Sequence, residues 1–394
     1  MHLSPEDSVL LDGLLPAAAC RERLARGALA APAWEEVVAR ADGHLTAPLL
    51  RFNLAAAGRL PGVPAEARRR LDEIARVWAA RHLAYVSEAR RLLGALAAAG
   101  IEAIPLKGAA LMLGAYYPQP GLRGALDLDL LVAPAQLAAA EAVAEACGYR
   151  EIPGRRAARP QSRLENERNH SWPRRGAGGL LLELHHRAFH FARGGRDLTF
   201  AELRAGAIAR DGLLHPAPSD LALHLIHHTI VDLQSTHAIL RTLADLHVLF
   251  AAAPEARDQA RARAADFGFA GAADLAAAAL QTLVDAPGAA AASADVALLL
   301  DTALLPDADE LAETARWFEY FDLRRRPLRK LAALASLLFT SRAHLEQLYG
   351  PAEPRSLYLN YLRRPLDLLR KIRPASLSLA NLRRVRALRR ASGR

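Results

Sequence analysis

Apolar positions along the chain change their spacing twice, and the elements they predict change with it. Up to about residue 62, alanine- and leucine-rich stretches are broken by Pro16, Pro32, Pro48 and Pro61, which predicts a set of short helices with no clustered polar groups among them. Pro64 then opens a longer run in which Leu71, Ile74, Trp78, Tyr85, Ala89, Leu92 and Leu96 recur mostly three or four apart, with Gly100 placed as a C-terminal cap. This is one long helix with a single buried face, and His82 on the same stripe reads as a core or boundary residue.

After Gly100 the helical period stops. Ile101 to Leu106 is short and apolar, as a buried strand should be, Ala109 to Tyr117 predicts a helix ending before Pro118, and Tyr116 to Gly121 reads as a loop. Leu126 to Val132 predicts a second strand in which Asp127 and Asp129 alternate with leucines, and Pro134 leads into a helix through Cys147 to Gly148. An arginine- and proline-rich stretch follows, with a loop between Pro153 and Arg163 and a short strand around His170 to Pro173. Gly179 to His186, GLLLELHH, is a third apolar strand interrupted by a single glutamate, Glu183, after which strand signals cease, so the sheet is expected to end near residue 190.

The remainder predicts helices. Ser219 or Asp220 is a candidate cap for one carrying His224, His227 and His228, a second runs from about His237 to Ala253 with Arg241, Asp245 and His247, and alanine-rich helices continue to about Phe339. Pro351 to Arg394 is a basic, leucine-containing tail.

Composition narrows this picture. The chain's 394 residues suggest two to three domains, and 52% hydrophobic with 24% charged residues is the balance of a folded globular protein. Two cysteines, Cys20 and Cys147, are too few for a disulfide framework and lack zinc-site spacing. An acidic N-terminal stretch and the lack of any run of about 18 uncharged apolar residues predict no membrane span and a cytoplasmic location. The net charge of +9 is concentrated late, in residues 324–330 and 363–373 and in the final LRRVRALRRASGR, which reads as solvated helix faces or as a surface for an anionic partner such as nucleic acid. Only three lysines, Lys107, Lys330 and Lys371, occur among the 51 basic residues, so a lysine in an apolar segment marks a place where a compact ammonium is wanted.

The chemistry converges on the strands. Residues two apart on a strand point to the same side, so Asp127 and Asp129 project together with Cα atoms about 6 to 7 Å apart. Two carboxylates so placed repel unless a cation lies between them, and hard, oxygen-seeking Mg²⁺ suits them, completing its shell with phosphate oxygens and water. Glu183, alone in the other strongly apolar strand, can supply a third carboxylate, and three such acids can make a two-metal site for in-line displacement at phosphorus. The Lys-Gly turn provides the positive side: Gly108 allows close backbone approach, the helix start at Ala109 offers free N–H groups, and Lys107 adds a point charge, with Arg123 a second candidate phosphate contact or a partner positioning Asp127.

The segment LKGAALMLGAYYPQPGLRGALDLDLLV, followed by LLLELHHR, resembles the nucleotidyltransferase superfamily of polymerase beta type, in particular a poorly characterised bacterial branch with a Leu-Lys-Gly turn, an arginine before an Asp-x-Asp strand, and a strand ending in Glu-Leu-His. The resemblance covers about residues 70 to 250. It implies an α+β fold in which a small mixed sheet is flanked by helices. The pattern along the chain divides it into an N-terminal helical region (1–95) whose last helix packs on the core, the nucleotidyltransferase core (96–210), a C-terminal helical domain (211–350) and a basic helical or partly disordered tail (351–394). It further implies that Asp127 and Asp129 hold Mg²⁺, or Mn²⁺, that Glu183 completes the triad, and that the Lys107-Gly108 turn holds a nucleoside triphosphate. Where the wider superfamily has Gly-Ser or Gly-Gly at this turn, here Ala109 follows Gly108, so no serine hydroxyl is available.

The expected activity is Mg²⁺-dependent transfer of a nucleoside monophosphate to an acceptor that is a small molecule, a protein side chain or an RNA end. The alternatives are a catalytically weak nucleotide- or partner-binding module on the same fold, and a metal hydrolase built on His224, His227 and His228. Against the last, the sequence has no His-Glu-x-x-His, and those histidines read as core or helix-boundary residues. His185, two residues after Glu183 on the same strand face, either lines the cleft or bonds to the sheet, and Asp245, one turn after Arg241, is expected to pair with that arginine at the cleft wall.

Overall fold

A computed structural model describes residues 3–26, 32–152, 174–176, 179–189, 196–231, 233, 238–285, 293–305, 310–311, 313–315, 345, 349, 354–371 and 378–393. The first quarter of the chain is helical where described: α1 (Pro5–Asp12), α2 (Ala18–Arg26), α3 (Trp34–Gly43), α4 (Ala47–Ala56) and the 34-residue α5 (Ala65–Ala98). Every apolar residue of the stripe read from the sequence of α5 is buried, and His82 lies at its boundary.

The sheet follows: β1 (Ala103–Pro105), α6 (Lys107–Leu113), β2 (Asp127–Val132), α7 (Leu137–Ala146), β3 (Arg150–Glu151), β4 (Arg174–Arg175) and β5 (Leu181–His185). Its five strands lie in the order β1-β2-β5-β4-β3, with β2 and β5 parallel and every other pair antiparallel. The expectation of an α+β fold with a small mixed sheet flanked by helices therefore holds. The helix α6 starts at Lys107 and stops at Leu113, shorter than expected, because Gly114 caps it and Ala115 takes φ 52°. The anticipated loop from Pro153 to Arg163 and strand from His170 to Pro173 lie outside the described residues.

The sheet does not end the β-structure. After α8 (Phe200–Gly206), β6 (Ile208–Arg210) and β7 (Leu213–His215) form a separate antiparallel hairpin, which corrects the expectation that strands cease near residue 190. Asp211 and Gly212 join them with φ of 53° and 74°, the double left-handed turn that matches strand twist. Helices α9 (Pro218–Ile226), α10 (Ile239–Ala252), α11 (Glu255–Asp266), α12 (Ala270–Asp285), α13 (Ala294–Ala303), α14 (Pro354–Lys371) and α15 (Leu379–Ala391) complete the described chain, with a π-helical turn at His227–Val231 directly after α9. Neither Ser219 nor Asp220 caps α9: Ala217 is its N-cap residue, Pro218 begins the helix, and Ser219 and Asp220 are buried within it. No helix of the described residues is long and apolar enough to cross a membrane.

Two hydrophobic cores organise these elements. The smaller covers one face of the sheet: Leu128, Leu130, Val132, Leu182 and Leu184 meet Tyr85 to Leu96 of α5, Met112 of α6 and Ala140 and Ala144 of α7. The larger is helical and takes residues from both ends of the chain, from Leu11 and Leu50 through Leu243 and Leu300 to Leu388, together with Ile104 and Leu131 from the sheet. Period-2 alternation thus aims Leu131, Asp129 and Asp127 toward the helical body, and the acids lie between sheet and helices.

Candidate active site

Backbone pairing builds the centre of the site. The parallel register of β2 and β5 sets Asp129 opposite Glu183 and Leu131 opposite His185. Leu106, at the end of β1, donates its backbone N–H to the Asp129 carbonyl at 3.0 Å, which brings the following residue, Lys107, beside the same aspartate. Asp129 is 1% exposed, and its Oδ1 receives the Lys107 Nζ at 2.8 Å and lies 2.7 Å from the His185 Nε2. His185 also approaches Glu183 Oε2 at 3.7 Å. Lys107 adopts φ 47°, the left-handed region that a residue with a side chain enters only at a cost, so the surrounding contacts hold it there.

Charge is unevenly balanced across this group. Burial opposes the Lys107 ammonium, but Asp129, Asp127 and Glu183 together outweigh it and raise its pKa. Asp127 is half-buried, and its carboxyl is pushed up first by the Asp129 charge and then by burial, with Lys107, Arg241 and Arg123 acting the other way. The Asp127 backbone carbonyl accepts a hydrogen bond from Tyr85 Oη at 2.9 Å, while its carboxylate forms no ion pair with a described residue.

Ligand atoms of Asp129, Glu183 and His185 lie within 4.8 Å of one another, a set able to hold a metal ion. Asp127, expected in the triad with Asp129 and Glu183, stands on the same strand face but outside this convergent set. Two carboxylates and an imidazole can hold a divalent cation, the carboxylate oxygens suiting Mg²⁺ or Mn²⁺ and the imidazole nitrogen suiting Mn²⁺ better than Mg²⁺, and the repulsion between Asp127 and Asp129 is what such a cation would relieve.

Beside it lies a second charged cluster with different bonding. Arg123 is buried and grips Asp245 with a fork, Nη2 to Oδ2 at 3.0 Å and Nε to Oδ1 at 3.3 Å, while Nη1 donates to the Gly124 carbonyl at 2.7 Å. Tyr117 Oη donates to Asp245 Oδ1 at 2.7 Å. Arg123 therefore positions neither Asp127 nor any other acid of the sheet, and Asp245 pairs with Arg123 rather than with Arg241, because a carboxylate 122 residues away in sequence is brought into bidentate contact by packing of α10. The glycine at 108 has a structural reason as well: a side chain there would overlap the Arg123 guanidinium.

The helices contribute residues that strand patterns did not announce. The rings of His224, at 1% exposure, and His228 are parallel within 3° with centroids 6.3 Å apart, and burial first, then the Lys107 ammonium, hold both well below an ordinary histidine pKa. His227 points elsewhere and stacks on Phe189 at 4.0 Å. The three histidines thus divide between the surroundings of Lys107 and the aromatic core at Phe189, and the metal-capable group among the described residues includes none of them. Arg241, on α10 one turn before Asp245, also stands near the acids, close enough for its charge to lower the Asp127 pKa. The sequence signal for it was its one-turn spacing from Asp245, which pointed to the wrong partner.

A family model described as an uncharacterised nucleotidyltransferase matches residues 30–285. The match runs from just before α3 to the end of α12 and takes in both charged clusters. No curated protein and no solved structure matches the chain.

Proposed function

Because the chain belongs to the uncharacterised nucleotidyltransferase family, we propose that it transfers a nucleoside monophosphate from a nucleoside triphosphate to a hydroxyl-type acceptor and releases pyrophosphate. The observation that carries this reading is the pairing of Asp129 with Glu183 across parallel strands, with His185 completing a metal-capable set and Asp127 on the same face. Asp127, Asp129 and Glu183 would hold Mg²⁺ or Mn²⁺, which when bound neutralises charge on the polyphosphate and favours attack at the α-phosphorus.

The chain's own residues would do the rest. Attack by the acceptor oxygen forms the new bond to the α-phosphorus, the bond to the β-phosphate oxygen breaks, and the acceptor proton passes to a carboxylate. Lys107 supplies positive charge beside Asp129, and the Arg123-Asp245-Tyr117 cluster fixes the wall behind the Lys-Gly turn. Neutral His224 and His228 leave that wall free of added positive charge.

One observation favours a second reading, a nucleotide-binding module with little turnover: Asp129 Oδ1 already carries both Lys107 and His185, and Ala109 offers no hydroxyl at the turn. A transfer assay separates the two. Labelled nucleoside triphosphates are incubated with the protein, Mg²⁺ or Mn²⁺ and a cell extract; the enzyme reading expects labelled product from the wild type and none from the Asp127→Asn, Asp129→Asn double variant. Equal transfer by both proteins, or none by the wild type, would refute it.

A further inference from the structure

We infer that Arg241 is a contact for the polyphosphate tail of the nucleotide, an inference that rests on the nucleotidyltransferase reading of the site. Three cations surround the acids, and two of them are already engaged: Lys107 with Asp129, and Arg123 with Asp245. Arg241 makes no hydrogen bond or ion pair with any described residue, and its Nε is buried without a partner. An Nε–H out of water with no acceptor is costly, since a buried donor left unmade forfeits its solvation.

The neighbourhood explains why that cost persists. Asp245, the acid one turn away, is taken by Arg123 and Tyr117, so Arg241 is left beside a second arginine with no carboxylate of its own. Burial and then the Arg123 charge lower the Arg241 pKa to about 10, still charged at neutral pH, while Asp127 and Asp245 pull the other way. The side chain is not wholly enclosed, and it lies near enough to the half-buried Asp127 for its charge to act on that carboxylate. An unpaired fork at the rim of a carboxylate cluster suits an anion rich in terminal oxygens that arrives with its own cations, and a polyphosphate is such an anion.

The recognition falls on the phosphates and not on the base, which gives a test. Calorimetry of the full chain with Mg²⁺ and each of the four ribonucleoside triphosphates identifies the nucleotide; that triphosphate, and its monophosphate by displacement, are then titrated into wild type, Arg241→Gln and Arg241→Lys. The Gln variant should lose triphosphate affinity by about tenfold to a hundredfold with monophosphate affinity within about twofold, and Lys should recover part of the loss. Unchanged triphosphate binding in Arg241→Gln, or a parallel loss for both nucleotides, overturns the assignment while leaving the transferase reading standing. A wild type that binds none of the four triphosphates overturns that reading, and this inference with it. If Arg241→Gln does not fold, Arg241→Lys decides: undiminished triphosphate affinity contradicts a role for the fork.

Discussion

Two charged clusters lie side by side in this protein, and they are built to opposite specifications. In the first, Arg123, Asp245 and Tyr117 saturate one another: both oxygens of Asp245 are bonded, all three nitrogens of the Arg123 guanidinium donate, one of them to a backbone carbonyl, and the Arg123 and Asp245 side chains are 7% and 0% exposed. In the second, Asp127, Asp129, Glu183, His185 and Lys107 crowd three acids around one lysine, two bonds converge on a single oxygen of Asp129, and Asp127 has no ion-pair partner among the described residues. A saturated buried network fixes geometry, whereas an unsaturated one waits for a ligand. The arginine shared by neither cluster, Arg241, belongs to the second by this criterion.

Removing one partner of the saturated cluster should have the largest effect. Asp245→Ala strands Arg123 in the interior and is expected to cost about 3–5 kcal/mol, read by chemical denaturation; a loss under 1 kcal/mol would mean the network is not what holds α10 to the loop. Gly108→Ala comes next. Its methyl group must displace the Arg123 guanidinium, so a cost of about 1–3 kcal/mol is expected, and the same substitution in an Arg123→Ala background should be nearly free.

The unsaturated cluster should respond with the opposite sign. The folded-state pKa of Asp127 is raised above its ordinary value of 3.8, so its charged form weakens the metal-free fold at neutral pH, and that penalty fades as pH falls through the raised pKa toward 3.8. Asp127→Asn should accordingly melt higher than wild type at pH 7 without metal, and the advantage should vanish near pH 3.8. A variant that melts lower at pH 7 would show that Asp127 is structural. The smallest effect is expected at the exposed pair of Arg204 with Glu102, where Arg204→Ala should leave the denaturation midpoint unchanged.

Much of the unsaturated cluster was legible in the sequence because its signals are local. Alternation placed Asp127 and Asp129 on one face, and a lone glutamate in GLLLELHH marked Glu183. The length and buried face of α5 were equally plain, since a repeat of three and four over 34 residues admits no other element. The hairpin of β6 and β7 went unread although Asp211-Gly212 is a recognised turn signal, because three-residue strands carry too little alternation to register. Nothing local announced the saturated cluster: Arg123 meets Asp245 only because the tertiary fold brings α10 to the loop before β2, and the helical spacing of Arg241 and Asp245 suggested a pair that tertiary structure overrides. His224 and His228 were visible as helix-face residues, but their place beside Lys107 depends on the packing of α9 against α6.

The central claim is that the unsaturated acids form the metal-dependent nucleotide site, and Mn²⁺ binding followed by electron paramagnetic resonance tests it most directly. Titrated with and without nucleoside triphosphate, the wild type should sequester Mn²⁺ more tightly when the nucleotide is present, and Asp129→Asn should lose that binding while retaining its fold by circular dichroism. Equal Mn²⁺ uptake by wild type and Asp129→Asn, with or without nucleotide, would contradict the account.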